Sequence, residues 1–179
     1  MRKILVVLGV LSVLMASAVP AHAHKQVIDD ADDTQGKLDI KKAIMADNDA
    51  MDERLTFSVR TYGEWAKRAI RPSQGNIVFQ IKRSPESSYR IEITRKPNGN
   101  LQSRLVMCTP KGCNYDEATE HPVSRPNKHS VKTSVHHSDL QAVGNNVKWR
   151  AVTAYGTGCS GHCYFDSAPN GSLAEHNVN

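Results

Sequence analysis

Apolar side chains recur at every second position through much of this chain, and no other feature of the sequence limits its fold as strongly. In the stretch Arg54–Thr61, Leu55, Phe57 and Val59 alternate with polar residues. Such alternation is typical of strands that bury one face and expose the other. Similar runs begin at Leu38, Ile77, Tyr89, Leu101, Val131 and Val147. Turn-rich gaps separate the runs, which predicts an all-β fold: an antiparallel β-sandwich or jelly roll of about seven or eight strands.

The first 23 residues have the layout of a secretory signal peptide. Arg2 and Lys3 form a positive n-region, and an apolar stretch follows. Ala21-His22-Ala23 places small residues where a signal peptidase reads them, so we expect cleavage between Ala23 and His24. The apolar run is about 16 residues long, short of the roughly 20 that span a bilayer. A helical signal peptide, release from the membrane and a secreted product are therefore predicted, with no stable membrane anchor after cleavage.

The remaining chain divides by composition into three parts. Residues 24–36 form an acidic N-terminal segment, residues 37–166 carry the alternating pattern of the β-sandwich domain, and residues 167–179 form a polar C-terminal tail. The net charge is +5, with the Lys and Arg residues scattered along the chain. This mild excess of positive charge fits an anionic partner such as a cell-envelope polymer. It also fits a surface that contacts only solvent. No nucleic acid partner is expected, because neither a basic stripe nor a recognisable nucleic-acid module is present.

The chain, which is predicted to be exported, contains four cysteines: Cys108, Cys113, Cys159 and Cys163. An even count in an oxidising compartment indicates disulfides, and four cysteines allow three pairings. The turn sequence between Cys108 and Cys113 favours that pair, and the similarly short gap between Cys159 and Cys163 favours the other. A zinc site made by all four thiolates is the alternative, although the C-x4-C and C-x3-C spacings are not those of zinc knuckles.

Aspartates cluster where the mature chain begins. Asp29, Asp30, Asp32, Asp33 and Asp39 fall within eleven residues. Ca²⁺ binds six to eight oxygens, which flexible acidic loops supply. Like charges at this density repel each other unless a cation lies among them. The spacing differs from that of an EF-hand. The cluster predicts a structural Ca²⁺ site, with a solvated acidic terminus as the alternative.

No catalytic motif stands out in the sequence. Gly-x-Ser-x-Gly and His-Glu-x-x-His are absent, so a non-catalytic protein is favoured. Carboxylates for glycoside hydrolysis have no local signature, which leaves a small extracellular hydrolase as one alternative function. A protein-interaction or inhibitor module that uses the disulfide-bound loops is another. Tyr62 and Trp65 flank a glycine in a predicted loop, which makes them candidates to stack against sugar rings. A role in ordinary packing is the alternative.

Four segments carry a resemblance to known proteins. They are Asp30-x-Asp32-Asp33-x-x-Gly36-x-Leu38-Asp39-Ile40, residues 55–65, residues 147–153, and Asp166-Ser167-Ala168-Pro169-Asn170-x-Ser172. Together they resemble a group of secreted actinobacterial β-sandwich proteins of unassigned function, through short motifs over most of the mature chain. The closing Asp-x-Ala-Pro segment is also similar to one in calcium-holding, carbohydrate-binding sandwiches. This likeness implies that Asp166 returns beside the opening aspartates and completes an oxygen cage.

The sequence thus predicts a secreted, non-catalytic β-sandwich that binds an extracellular or cell-envelope glycan. A structural Ca²⁺ is expected near the N-terminal edge of the sandwich. Its predicted ligands are Asp30, Asp32, Asp33, Asp39 and Asp166.

Overall fold

A computed structural model describes residues 24–48, 53–71, 75–140, 146–156 and 163–178 of the chain. The predicted signal peptide, residues 1–23, lies outside these residues. The described part contains twelve strands, two short 3₁₀ turns and no α-helix. The all-β prediction is therefore confirmed. Within the same residues, no helix is long and apolar enough to cross a membrane.

The strands form two antiparallel sheets. Five of them make the smaller sheet: β1 (Lys25–Asp29), β2 (Ile40–Asn48), β3 (Arg54–Thr61), β8 (Val123–Asn127) and β9 (Ser130–His136). Seven make the larger sheet: β4 (Gly75–Ser84), β5 (Ser87–Arg95), β6 (Leu101–Thr109), β7 (Gly112–His121), β10 (Asn146–Gly156), β11 (Cys163–Ala168) and β12 (Ala174–Asn177). The smaller sheet has the order β1-β2-β3-β9-β8. The larger sheet has the order β11-β10-β4-β5-β6-β7, and β12 pairs with β10 alongside β11.

The two sheets share one apolar core. Phe57 of β3 contacts Phe79 of β4 with ring centroids 5.4 Å apart, and it contacts Trp149 of β10 edge-on at 5.9 Å. All three side chains are fully buried, and they belong to a single hydrophobic cluster drawn from both sheets. The alternating residues of the sequence account for this cluster, since one parity of each long strand faces inward. The molecule is a β-sandwich whose layers meet through aromatic packing.

The number of strands exceeds the predicted seven or eight because edge and peripheral strands lack the alternating signal. β7 and β8 are mostly exposed, so their sequences resemble those of loops. The acidic segment 24–36 contains β1, which pairs with β2. The predicted tail, of which the structure describes residues 167–178, contains strands as well. It holds the end of β11 and all of β12, and it buries His176 and Val178.

The three cysteines within the described residues are all disulfide-bonded. Cys108 and Cys113 are bonded to each other and close the β6–β7 hairpin as directly opposite residues, as predicted. Cys163 is also disulfide-bonded, and its predicted partner Cys159 lies outside the described residues. A sulfur in a disulfide is not a thiolate ligand, so the four-cysteine zinc alternative is wrong.

Candidate cation site

The fold brings aspartates that are distant in sequence to one edge of the sandwich. Asp39 immediately precedes β2 of the smaller sheet, and Asp166 lies on β11 of the larger one. The backbone N–H of Ile40 donates a hydrogen bond of 2.6 Å to Oδ2 of Asp166. This contact ties the start of β2 to the opposite sheet. It also places Asp166 beside the acidic segment, where the resemblance implied it would be.

Three carboxylates converge closely enough to share one ion. Asp33, Asp39 and Asp166 each place a carboxylate oxygen within 4.8 Å of the other two. Oxygens bound to one Ca²⁺ at about 2.3–2.6 Å lie at most about 5 Å apart, so the observed separation fits a single bound cation. Asp33 is exposed, whereas Asp39 and Asp166 are only 2% and 5% exposed. We call these three residues the carboxylate triad.

Asp39 is the most unusual member of the triad. Both of its carboxylate oxygens are shielded from solvent and have no hydrogen-bond partner among the described residues. Burial, together with neighbouring Asp32 and Asp166, raises the pKa of Asp39 to about 7. A buried carboxylate without a partner is unfavourable, so this group requires either a proton or a positive ion.

The other two predicted ligands, Asp30 and Asp32, border the triad. Burial and the charges of Asp166 and Asp33 raise the pKa of Asp30 to about 6. Its Oδ2 is buried without a hydrogen-bond partner in the described part of the chain. Asp32 is exposed, and its carboxylate helps to raise the pKa of Asp39. All five predicted aspartates therefore share one neighbourhood.

Several polar residues that were not predicted from the sequence hold this neighbourhood in place. The hydroxyl of Thr34 donates to Oδ1 of Asp33 at 3.2 Å. The side-chain amide of Asn170 donates to Oδ1 of Asp30 at 3.3 Å. Asn170 belongs to the closing segment that carried the resemblance, so that segment was the sequence feature from which its place beside the aspartates could have been predicted. In the part of the chain that the structure describes, no Lys or Arg forms an ion pair with the triad.

Of the two aromatic residues predicted to stack sugars, neither offers a free platform. Trp65 is only 3% exposed, and the guanidinium of Arg125 lies 4.4 Å above its ring. The Tyr62 hydroxyl donates to the backbone carbonyl of Asp30 at 2.8 Å, and Lys41 lies 5.2 Å above the Tyr62 ring. The prediction is wrong for Trp65 because its loop packs into the core. Tyr62 instead supports the acidic segment.

Without a cation, the raised pKa values predict that the folded protein loses stability as the pH rises. The pKa values of Asp30 and Asp39 rise from an ordinary 3.8 to about 6 and about 7 on folding. Between about pH 4 and 7 the folded state therefore retains protons that the unfolded state has released, and the free energy of unfolding contributed by these groups falls. In chelator, the melting temperature of the wild type relative to Asp39→Asn is expected to drop between about pH 5 and about pH 8. A constant difference between the two proteins over this range would contradict the assignment.

The burial of the triad also restricts what chemistry it can perform. A carboxyl group with a pKa near 7 suits a general acid, but such an acid must reach the scissile bond. Asp39 and Asp166 are both buried, and only Asp33 of the triad is exposed. Asp39, the triad member with the raised pKa, is therefore better placed to bind a small ion than to protonate a polymer.

Asp33 and Asp166 also line an open groove of about 490 Å³ on the outside of the larger sheet. This groove adjoins the triad and includes the exposed ring of Phe165. Comparisons of the chain with protein families, with curated proteins and with solved structures find no match. The resemblance to secreted actinobacterial sandwiches therefore stays a prediction.

Proposed function

We propose that this chain is a secreted, non-catalytic β-sandwich that binds a glycan and is stabilised by one Ca²⁺ at the carboxylate triad. The observation that carries the proposal is Asp39, a buried carboxylate without a protein partner among the described residues, which lies within 4.8 Å of Asp33 and Asp166. A Ca²⁺ at this point would offset two of the three negative charges of the triad. It would also join the start of β2 to β11, and thus stabilise the contact between the two sheets.

The donor set favours Ca²⁺ over other common metals. All five clustered side chains offer carboxylate oxygens, whereas Zn²⁺ and Cu²⁺ prefer nitrogen or sulfur ligands. Mg²⁺ demands a near-ideal octahedron and gives up its water reluctantly, while Ca²⁺ accepts six to eight oxygens in irregular geometry. Extracellular modules bind Ca²⁺ with dissociation constants of about 10⁻⁴ to 10⁻³ M, so a partly exposed site of this kind would be filled outside the cell.

The binding role is supported by the open groove beside the triad. The groove combines an exposed aromatic ring with polar side chains, a composition that suits a sugar ligand. The hydrolase alternative requires a proton-donating carboxyl group beside the bound sugar. Asp39 is only 2% exposed and, unlike Asp33 and Asp166, is not among the described residues that line the groove. We therefore expect glycan binding without turnover.

The cation part of the proposal is tested by thermal unfolding of the mature protein. A ligand that binds only the folded state stabilises it by about 1.4–2.7 kcal/mol at 10 to 100 times its dissociation constant. Ca²⁺ at about 10 mM, which is about 10 to 100 times the dissociation constants given above, is therefore expected to raise the melting temperature by about 5 °C over the value in chelator. Mg²⁺ at the same concentration serves as the control and should give a smaller rise. Identical melting curves in Ca²⁺ and in chelator would show that the triad binds no ion.

A further inference from the structure

We infer that the ligand is an acidic oligosaccharide, and that it lies in a groove across the outer face of the larger sheet. This inference rests on the proposed function and names the class of glycan and its binding surface. Three features of this face support the inference. Two cavities are continuous with each other, positive charges lack acidic partners among the described residues, and an aromatic ring is exposed at one end.

Two cavities meet on this face. The first, of about 490 Å³, adjoins the triad, and the second, of about 710 Å³, extends toward the disulfide-closed hairpin. Gln80 and Arg150 line both cavities. The segment after β11 borders both as well, through Asn170 in the first and Ser172 in the second. The two cavities therefore form one groove with a shared midpoint, large enough for an oligosaccharide.

Cationic side chains gather at this midpoint because of the strand register. Arg150 lies opposite Gln80, and Gln80 lies opposite Arg90 on the next strand. One row further along, Lys148 lies opposite Lys82. All five residues share the outward parity of the sheet. The register thus brings four positive charges together on one surface, where like charges repel each other.

Two of these charges have no acidic partner in the described part of the chain. Lys148 is paired with Glu175, and Arg90 lies 3.6 Å from Glu92. Arg150 donates its Nε to Oε1 of Gln80 at 2.7 Å. Among the described residues, no carboxylate forms an ion pair with Arg150 or Lys82. A carboxylate or sulfate group on the ligand would compensate both charges, and a guanidinium binds such groups with two parallel hydrogen bonds.

The far end of the groove indicates that the anion is carried by a sugar. Phe165 is 65% exposed and lines the first cavity beside Asn170. An exposed ring next to an amide can stack on a sugar ring and hydrogen-bond its hydroxyls. Phe165 lies opposite Ala154, four residues along β10 from Arg150, or about 13 Å at the usual rise per residue. A free phosphate or sulfate would not reach both residues, whereas an oligosaccharide would.

The proposed Ca²⁺ would help an acidic ligand to tolerate the acidic end of the groove. Asp33 and Asp166 line the first cavity, and without a positive ion they would repel an anion. A Ca²⁺ at the triad would reduce this repulsion, because it offsets two of the three negative charges. Binding of an acidic glycan is therefore measured in Ca²⁺ buffer.

The test is calorimetric titration of the mature protein with three hexasaccharides. The hyaluronan hexasaccharide carries carboxylates, the heparin hexasaccharide carries carboxylates and sulfates, and cellohexaose is neutral. We expect both acidic probes to bind and cellohexaose to bind at least about tenfold more weakly. Arg150→Gln should weaken acidic binding about tenfold or more. Phe165→Ala should weaken it about three- to tenfold.

Lys132→Gln is the matched control, since Lys132 is an exposed lysine on the smaller sheet. It should bind the acidic probes like the wild type. Equal weakening by Lys132→Gln, equal affinity for cellohexaose, or no binding of either acidic probe would overturn the inference. The rise in melting temperature with Ca²⁺ should persist in Arg150→Gln. This separates the two proposals: a retained Ca²⁺ response without acidic binding defeats only the groove assignment, and a missing Ca²⁺ response defeats the proposed function.

Discussion

Asp39→Asn is expected to abolish the stabilisation by Ca²⁺ while leaving the cation-free protein at least as stable as the wild type at neutral pH. The amide keeps the shape of the side chain but removes a negative charge from the triad. Asn still offers a carbonyl oxygen to Ca²⁺, but it lacks the negative charge that attracts the ion, so we expect the affinity to fall at least about 10–100-fold. In chelator the same substitution removes a buried, unpartnered charge, which favours the folded state. Melting curves with and without Ca²⁺ measure both effects.

Asp47→Asn is the matched control for that substitution. Asp47 is also buried, at 3% exposure, but it lies near the other end of β2, about 27 Å along the strand from Asp39. Its substitution should change the stability of the protein without changing the increment that Ca²⁺ adds. Equal loss of the Ca²⁺ response in both variants, or an unchanged response in Asp39→Asn, would show that the triad does not hold the ion.

Phe57→Ala is expected to lower the free energy of unfolding by about 3–5 kcal/mol, as large-to-small changes of buried aromatic residues do. Phe57 is fully buried and contacts Phe79 and Trp149 of the opposite sheet. Its removal leaves a cavity between the two layers of the sandwich. Domains are stable by only about 5–15 kcal/mol, so this variant should unfold at much lower urea concentration.

Phe165→Ala provides the comparison for Phe57→Ala, because Phe165 is 65% exposed on β11. The same change of side chain there should cost no more than about 0.5 kcal/mol. Urea unfolding monitored by tryptophan fluorescence measures both variants with the disulfides intact. A cost below about 1 kcal/mol for Phe57→Ala would contradict the packing of the two sheets through this residue.

The inward-facing residues of the long strands could be predicted from the sequence because their environment repeats every second position. Leu55, Phe57 and Val59 of β3 have the pattern of a half-buried strand, and they are buried. β12 could not be predicted in this way. It has four residues, and it is fixed by pairing with β10, a long-range contact that leaves no local pattern in the sequence.

The candidate site was partly predictable, because only part of it leaves a local pattern in the sequence. The density of aspartates before β2 is a local signal, and their mutual repulsion favours a cation among them. Burial of Asp39 is set by the return of β11, which the sequence does not reveal directly. The burial of Trp65 depends likewise on tertiary packing, with Arg125 covering its ring. The outer groove is produced by the register of Arg150, Gln80 and Arg90, and scattered basic residues in a sequence do not indicate such a register.

The most direct measurement is a crystal structure of residues 24–179, the predicted mature protein, grown with millimolar CaCl₂. We expect one ion with carboxylate oxygens of Asp33, Asp39 and Asp166 within about 2.3–2.6 Å. Two results would contradict a cation-stabilised sandwich. One is electron density for water alone among these three side chains, and the other is an ion bound elsewhere while the buried carboxylate of Asp39 contacts no ion.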